Sequence, residues 1–499
     1  MHVAGSTLLR RLKMLRRLDA FDFFGSTKVP TSFMATDIAR HDGRALDIAA
    51  LTPSRIDGAV LQQPCAHYNL VTAAGQSFHH GEAAGAALSV TQPYDNKMVG
   101  QSIHNGTTRY GSDAWKPIGD TFALQPLVAA NVRGGAVYSN AQVAANLGTW
   151  PAYKYLGEAG VVAAANAWRG RYLARRSLAT DPDHLFVSNG VGRGGTSITA
   201  LIPGGAVWGR FTSYCAQMKA LADREGKTVG MSAYLWDQGQ ADSSGHMTKA
   251  AYKEHLATLR SGVNEVVAST FRQPNPPAFL LSQMAGVYTT NDLAISQAQL
   301  EFARETPGVY LIGPDYQYTD AISGGHLRAN GYRNQGLQYG KVLYRLFELG
   351  QNWRPLEPLA IYGRGKEVLV TLHVPAPPIV FDLPYRGAAQ VADQADKGFL
   401  VTDAAGANPV LSVAIVGRAT LRLVLARDVV GGASLWHGRN DISAGHGFVR
   451  DSDAMPASDA YEYIADSGMP AEDNIPALVG KPYSLANWLC GFVEPIMLV

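Results

Sequence analysis

"LVTAAGQSFHHGEAAG" runs from Leu70 to Gly85. Its first five residues are almost wholly apolar, and the run closes at Gly75. Such a short run reads as a strand buried on both faces, the kind that fills parallel sheets. Ser77 comes two residues after its end. In open α/β sheets the carboxyl edge of the strands is where ligands bind. If the chain turns into a helix there, the Ser77 amide points into the site and can donate to a developing oxyanion. Taken alone, Ser77 serves equally well as a helix cap. The tripeptide recurs at Gly100-Gln101-Ser102, after the polar "QPYDNKM" (92–98). With no strand expected before it, that copy reads as a loop without a catalytic role.

Four further runs share the character of the first: "HLFVSNG" (184–190), "VGMSAYLWDQG" (229–239), "PAFLLSQMAG" (277–286) and "VYLIGP" (309–314). Helical patterns lie between and after them, at 210–227, 248–268, 292–308 and 331–350. Strands alternating with helices predict an α/β fold, a parallel-sheet α/β/α sandwich. The stretch 76–183 is rich in Gly, Asn, Thr and Tyr and reads as long loops over the ligand-binding edge. Beyond Gly350 the pattern changes to period-2 alternation, as in "KEVLVTLHVPAPPIVFDL" and "PVLSVAIVGRATLRLVLARDV". That predicts a C-terminal all-β domain. The expected division is an N-terminal extension (1–55), a catalytic α/β domain (56–350) and the β domain (355–499).

The bulk properties exclude several classes. The chain has 499 residues, 46% hydrophobic and 17% charged, with a formal net charge of +2. That balance gives no reason to expect a nucleic-acid partner. No apolar run is long enough to span a bilayer. Cys65, Cys215 and Cys490 are far apart, with no metal-ligand or disulfide spacing, and read as buried free thiols. At the N-terminus, Leu8, Leu12, Leu15 and Leu18 fall at helical spacing among five Lys and Arg residues. This reads as an amphipathic helix with a solvated basic face, a docking segment or a targeting segment. There is no uninterrupted apolar core of a signal peptide. The expected location is therefore the cytoplasm or release in a phage-like particle.

A serine nucleophile needs a base. "DAISGGHLRANGYRNQG" (320–336) puts Asp320 and His326 in one loop after the last strand. A histidine can take the serine proton, and an aspartate can hold its tautomer. "VSNGVGRGGTSITAL" brings Gly194 and Gly195 to a strand end, where backbone amides can approach a ligand. Gln238 ends another strand, and its amide can donate to an oxyanion. A buried structural glutamine is the plainer alternative. No Lys-Ser/Thr follows the glycines, which argues against a nucleotide site.

Four blocks stand in one order: GQS, then GRGGTSI, then WDQGQAD, then Asp and His near the end of the α/β region. That order resembles the SGNH hydrolase superfamily, in its carbohydrate O-acetylesterase (sialate O-acetylesterase-like) branch. "TQPYDNKM", "HGFVRDSD" and "LANWLCGF" look like segments of such esterases that carry an appended β domain, as in bacterial and phage-tail proteins. The resemblance implies a flavodoxin-like sandwich and no cofactor or metal. It implies an acetylated carbohydrate as substrate, and it leaves a homo-oligomer or tail-like assembly open. It makes Ser77 the nucleophile, His326 the base and Asp320 its orienter. The oxyanion hole would comprise the Ser77 amide, that of Gly194 or Gly195, and the Gln238 side chain. The sequence departs from the family pattern in three places. Phe78 replaces an Asn, and Gln240 replaces a Glu, removing a charge behind the oxyanion hole. The Asp–His spacing is longer than DxxH, which leaves Asp315 as a substitute for Asp320. The alternatives are a glycan-binding or tail-structural protein with weakened turnover, and a lipase or thioesterase of the same superfamily.

Overall fold

The first strand, β1 (Tyr68–Gly75), is buried along its whole length. Leu70 and Ala74 face one apolar core, while Val71 and Ala73 face another on the opposite side of the sheet. In this computed structural model, which describes residues 32–54, 57–106, 114–119, 122–320 and 325–499, β1 is the centre of a seven-stranded sheet. The other strands are β2 (Lys97–Val99), β3 (Leu124–Pro126), β4 (Leu185–Val187), β5 (Val229–Asp237), β6 (Ala278–Gln283) and β7 (Val309–Pro314). They lie in the order β3-β2-β4-β1-β5-β6-β7, and only β3 is antiparallel to its neighbour. The five strands β4-β1-β5-β6-β7 have the flavodoxin-like order, which reverses direction between β1 and β5. In such sheets the ligand crevice opens at that switch point.

Helices cover both faces. Residues of Trp208–Arg224, Lys249–Phe271 and Ala294–Glu305 fill the core on the Leu70 side. Gly160–Arg176 and Ala329–Leu343 fill the core on the Val71 side. The helix at Gly160–Arg176 lies inside the stretch expected to be loops. Every residue from Gly160 to Arg169 is buried, so the segment has no polar face to reveal a helical period. It packs directly on Ala329–Leu343. A Cβ on Gly336 would lie 2.2 Å from the Gly160 carbonyl oxygen, and one on Gly340 would lie 2.7 Å from the Ala167 Cβ. The two helices approach at backbone distance because those positions carry no side chain.

Beyond Gly350 the chain forms strands and short helical turns only. A five-stranded and a four-stranded sheet dominate this C-terminal region. It is bonded to the α/β layers by buried polar contacts. Gln283 forms a two-way bond with Gly491, 2.9 Å out and 2.8 Å back. Lys341, fully buried, donates to Asn487 at 2.7 Å and to Asp453 at 3.2 Å. The first described helix, Ala35–Leu51, lies on the C-terminal strands, with the Asp42 carboxylate accepting from the Ala419 amide at 2.7 Å and the Thr420 hydroxyl at 2.8 Å. The basic segment around Leu8–Leu18 lies outside the described residues. Of the three thiols, Cys215 and Cys490 are buried as expected, but Cys65 is exposed. Its neighbours Gln63 and Pro64 hold it in the turn before β1, short of the sheet's cover. Among the described residues, no helix is long and apolar enough to cross a membrane.

The helix contact yields a paired prediction. Gly336→Ala forces the two helices apart and should cost about 1–3 kcal/mol, as overpacked cores do. Gly43→Ala, in a helix interior with nothing within 4 Å of its Cβ, should stabilise by roughly 0.5–1 kcal/mol. Denaturant unfolding of both variants measures the contrast.

Candidate functional site

Gly75 is the last residue of β1 and pairs with Asp237, the last of β5. Its φ is +129°, and a Cβ there would sit 2.1 Å from the Asp237 carbonyl oxygen, so the position requires glycine. The Gln76 amide continues the pairing, donating to the Asp237 carbonyl at 3.0 Å. Ser77 then opens a single 3-10 turn, Ser77–His80. Amides in the first turn of a helix have no intrahelical acceptor, and that of Ser77 donates to no group among the described residues. Ser77 therefore stands at the switch point with its hydroxyl and its amide both available.

The structure brings His326 to this serine, with Nε2 2.9 Å from Ser77 Oγ. With the ring proton on Nδ1, the hydroxyl donates to Nε2, the arrangement in which histidine acts as general base. Phe78 lies against the imidazole at a ring separation of 5.6 Å, and Tyr288 meets it edge-on at 6.4 Å. Phe78 is thus an apolar wall beside the imidazole.

The expected orienting carboxylates are placed elsewhere. Asp320 Oδ1 accepts from the Gly387 amide of the C-terminal region at 2.9 Å. Asp315 Oδ1 accepts from the Ser282 hydroxyl and from Gln335 Nε2, the latter at 3.1 Å. Neither hydrogen-bonds to His326. Asp320 is turned away because the chain pairs it with Leu327 in a two-residue bridge, which aims its carboxylate at the C-terminal strands. The DxxH spacing falls on Ser323, outside the described residues.

The oxyanion elements divide in the same way. Gly194 is buried, and its amide donates to no acceptor among the described residues, while Gly195 is exposed at φ +63°. The Arg193 amide, one residue earlier, is bonded to the Gly75 carbonyl at 3.0 Å, which holds the glycine loop beside the nucleophile turn. Gln238, expected as a side-chain donor, is spent on the scaffold. Its Nε2 donates to the Asp242 carboxylate, to the Thr196 carbonyl at 3.1 Å and to Gln76 Oε1 at 3.3 Å. Its Oε1 accepts from the Tyr252 hydroxyl at 2.7 Å. Asp242 also receives the Ser197 hydroxyl and the Ile198 amide. Asp242, the final residue of the WDQGQAD block, thus gathers these groups from the same short helix as Gln240, whose own Oε1 has no hydrogen-bond partner among the described residues.

Two features escaped the sequence reading. A short strand, β2, does precede Gly100-Gln101-Ser102, because the polar "DNKM" pairs at the sheet's outer side. Ser102 is nevertheless fully buried and bonded to His104, whose Nε2 donates to the His80 carbonyl at 2.8 Å. That pair has no exposure to a substrate. The second feature is a buried acidic pair beneath the site. Burial pushes Asp237 up to about 7, against the Tyr339 hydroxyl that donates to it. Burial and the neighbouring Asp237 push Asp315 up to about 8. Gln335 Nε2 lies within bonding distance of both carboxylates, at 3.3 and 3.1 Å. Strand ends carrying single aspartates gave no sign in the sequence that the two would meet.

The chain matches no protein-family model and no curated protein. Solved structures similar to it include a carbohydrate acetylesterase from Xanthomonas citri, at 12% identity over 78% of this chain and 79% of that one, with a TM-score of 0.47. A protein from Arabidopsis thaliana aligns at 14% identity over 56% of this chain and 99% of its own, with a TM-score of 0.36. NanS aligns at 14% identity over 47% of this chain and 70% of its own, with a TM-score of 0.28.

Asp320→Asn keeps an oxygen to accept from Gly387, so kcat should stay within about tenfold of wild type. Neutralising the orienting carboxylate of a Ser-His-Asp triad typically costs about 10⁴-fold, and a loss of that size would put Asp320 on the imidazole during turnover. A second expectation concerns pH. An aspartate whose folded pKa is raised binds its proton more tightly in the folded state. Its contribution is fully present below the unfolded pKa of about 3.9 and is lost as pH rises through the folded value. For Asp315 the window is from about pH 4 to about pH 8. Asp315→Asn, neutral throughout, should therefore gain melting temperature relative to wild type between pH 4 and pH 8. Thermal unfolding at the two pH values reads the change, and a constant difference would show that Asp315 is ionised in the folded protein.

Proposed function

We propose that this chain is a serine esterase that removes O-acetyl groups from a carbohydrate, most fittingly a polysaccharide. The observation that carries the reading is the 2.9 Å contact between Ser77 Oγ and His326 Nε2 at the switch point of a flavodoxin-like sheet. In this reading His326 takes the proton as Ser77 attacks the ester carbonyl. The Ser77 and Gly194 amides receive the oxyanion, and an acetyl-serine forms as the sugar hydroxyl leaves with the proton from His326. Water, activated by the same imidazole, then releases acetate. The carbohydrate class rests on the ordered GQS, GGTSI and WxQGxxD blocks with the following histidine. Gln238 holds the glycine loop and the nucleophile turn together rather than touching the oxyanion.

A second reading keeps the fold and binds a glycan with weakened turnover. It is favoured by the commitment of Gln238 to Asp242 and of Asp320 to Gly387.

The test is hydrolysis of p-nitrophenyl acetate and acetate release from a panel of acetylated polysaccharides. Ser77→Ala should lower kcat by at least about 10³-fold, on the scale of losing a serine nucleophile, with its melting temperature retained. Wild-type protein that binds a polysaccharide without releasing acetate would establish the second reading.

A further inference from the structure

We infer that His79 is a positioning residue that fixes the spacing between the two amide donors of the oxyanion hole, an inference that rests on the esterase reading above. Both of its ring nitrogens are engaged. The Gly192 amide points at His79 Nε2 from 3.2 Å. A peptide N–H can only donate, so Nε2 is the bare nitrogen and the ring proton is on Nδ1. Nδ1 in turn faces the Gln76 carbonyl oxygen, to which it donates. One imidazole thus joins the residue before the nucleophile to the loop that carries Gly194.

The packing around the ring agrees with a fixed bracket. His79 is 3% exposed. A Cβ on Gly192 would come within 2.6 Å of His79 Cε1 and 2.2 Å of the Gly75 carbonyl oxygen, and one on Gly190 would lie 3.2 Å from His79 Cδ2. The glycines of this loop therefore serve the approach of the loop to the ring and to the end of β1. The neutral state that the bracket needs is enforced by its surroundings. Burial, then the adjacent His80 ring, hold the His79 pKa well below its ordinary value, with His104 and Arg210 acting in the same sense. The donation to Gln76 opposes them.

The bracket acts on geometry alone. Val191 N to Ala73 O and Arg193 N to Gly75 O tie the loop to the end of β1, and Gln238 bridges Gln76 to Thr196 beyond it. His79 adds the tie between them, reaching Gly192 from the turn itself, two residues before Gly194. Small displacements of catalytic groups can cost about 10²-fold in rate.

The experiment uses the two isosteres of a histidine's nitrogens. In His79→Asn the amide replaces Nδ1 and leaves Gly192 without an acceptor. In His79→Gln the amide oxygen replaces Nε2 and restores it. On p-nitrophenyl acetate, His79→Asn should lose roughly 10–100-fold in kcat with KM within about threefold, and His79→Gln should recover most of that loss. Equal activity of both variants with wild type, or a loss confined to KM, overturns the inference. Ser77→Ala is run alongside. If it remains active, the esterase reading fails. If it is dead while both His79 variants are normal, only the bracket fails. Nitrogen-15 spectra of wild-type histidines give a readout that does not depend on any variant folding. His79 should appear as a neutral Nδ1–H tautomer, and an Nε2–H signal would overturn the assignment.

Discussion

The in-register ending of two parallel strands is the constraint from which the site follows. Gly75 and Asp237 finish β1 and β5 side by side, so close that the first must be a glycine. The strand order reverses between these two strands, so no crossover covers their ends. Whatever follows Gly75 is therefore delivered to an open crevice with its backbone already fixed by the bond from Gln76 to Asp237. Ser77 needs no strain of its own to stand there. Of the loops that meet it, Gly190–Thr196 follows the neighbouring β4, while the turn before Ala329 returns to the crevice from β7 at the edge of the sheet.

The parts of this arrangement that rest on local pattern were legible in the sequence. The strands β1 and β4 to β7 announced themselves as short apolar runs closed by Gly or Pro, and the helices on the Leu70 side showed their period. Ser77 and His326 were legible because one follows a strand and the other follows the last strand's loop. What escaped is long-range or two-sided. Gly160–Arg176 hid because a helix buried on every side has no stripe. The strand Lys97–Val99 hid because three residues at the outer side of a sheet carry too little pattern. Gln238 and Asp320 were assigned by type and neighbourhood, but a side chain's partners depend on chains far away in sequence. Asp242 lies four residues from Gln238, yet Tyr252 and Thr196 complete the amide's shell. Gly387 reaches Asp320 across 67 positions.

The crevice floor is held by unequal contacts. Asp242 holds Ser197, Ile198 and Gln238 together from the short helix after β5. The Phe78 ring packs against the imidazole of His326. Gln240, buried on the same short helix as Asp242, has an Oε1 with no hydrogen-bond partner among the described residues. A buried acceptor left in that state costs about 1–3 kcal/mol, which the surrounding shell must offset.

The C-terminal strands enter the same economy of contacts and are part of the crevice wall. The Gly387 amide holds Asp320, six residues before His326. Asn440 donates to the Val287 carbonyl at 3.1 Å, and Gly445 packs so close to Gly286 that a Cβ would lie 2.1 Å from its carbonyl oxygen. Those contacts fix the turn that carries Tyr288, whose ring faces His326. Tyr316, just past β7, is bonded to the Leu489 carbonyl at 2.6 Å. The segment that must bring an imidazole to Ser77 thus runs from an anchored Tyr316, past an anchored Asp320, to a helix whose Asn330 donates to the Glu462 carbonyl at 2.8 Å. Its anchors at both ends come from the C-terminal strands, so the 2.9 Å approach of His326 to Ser77 is a property of the α/β layers and the β region together.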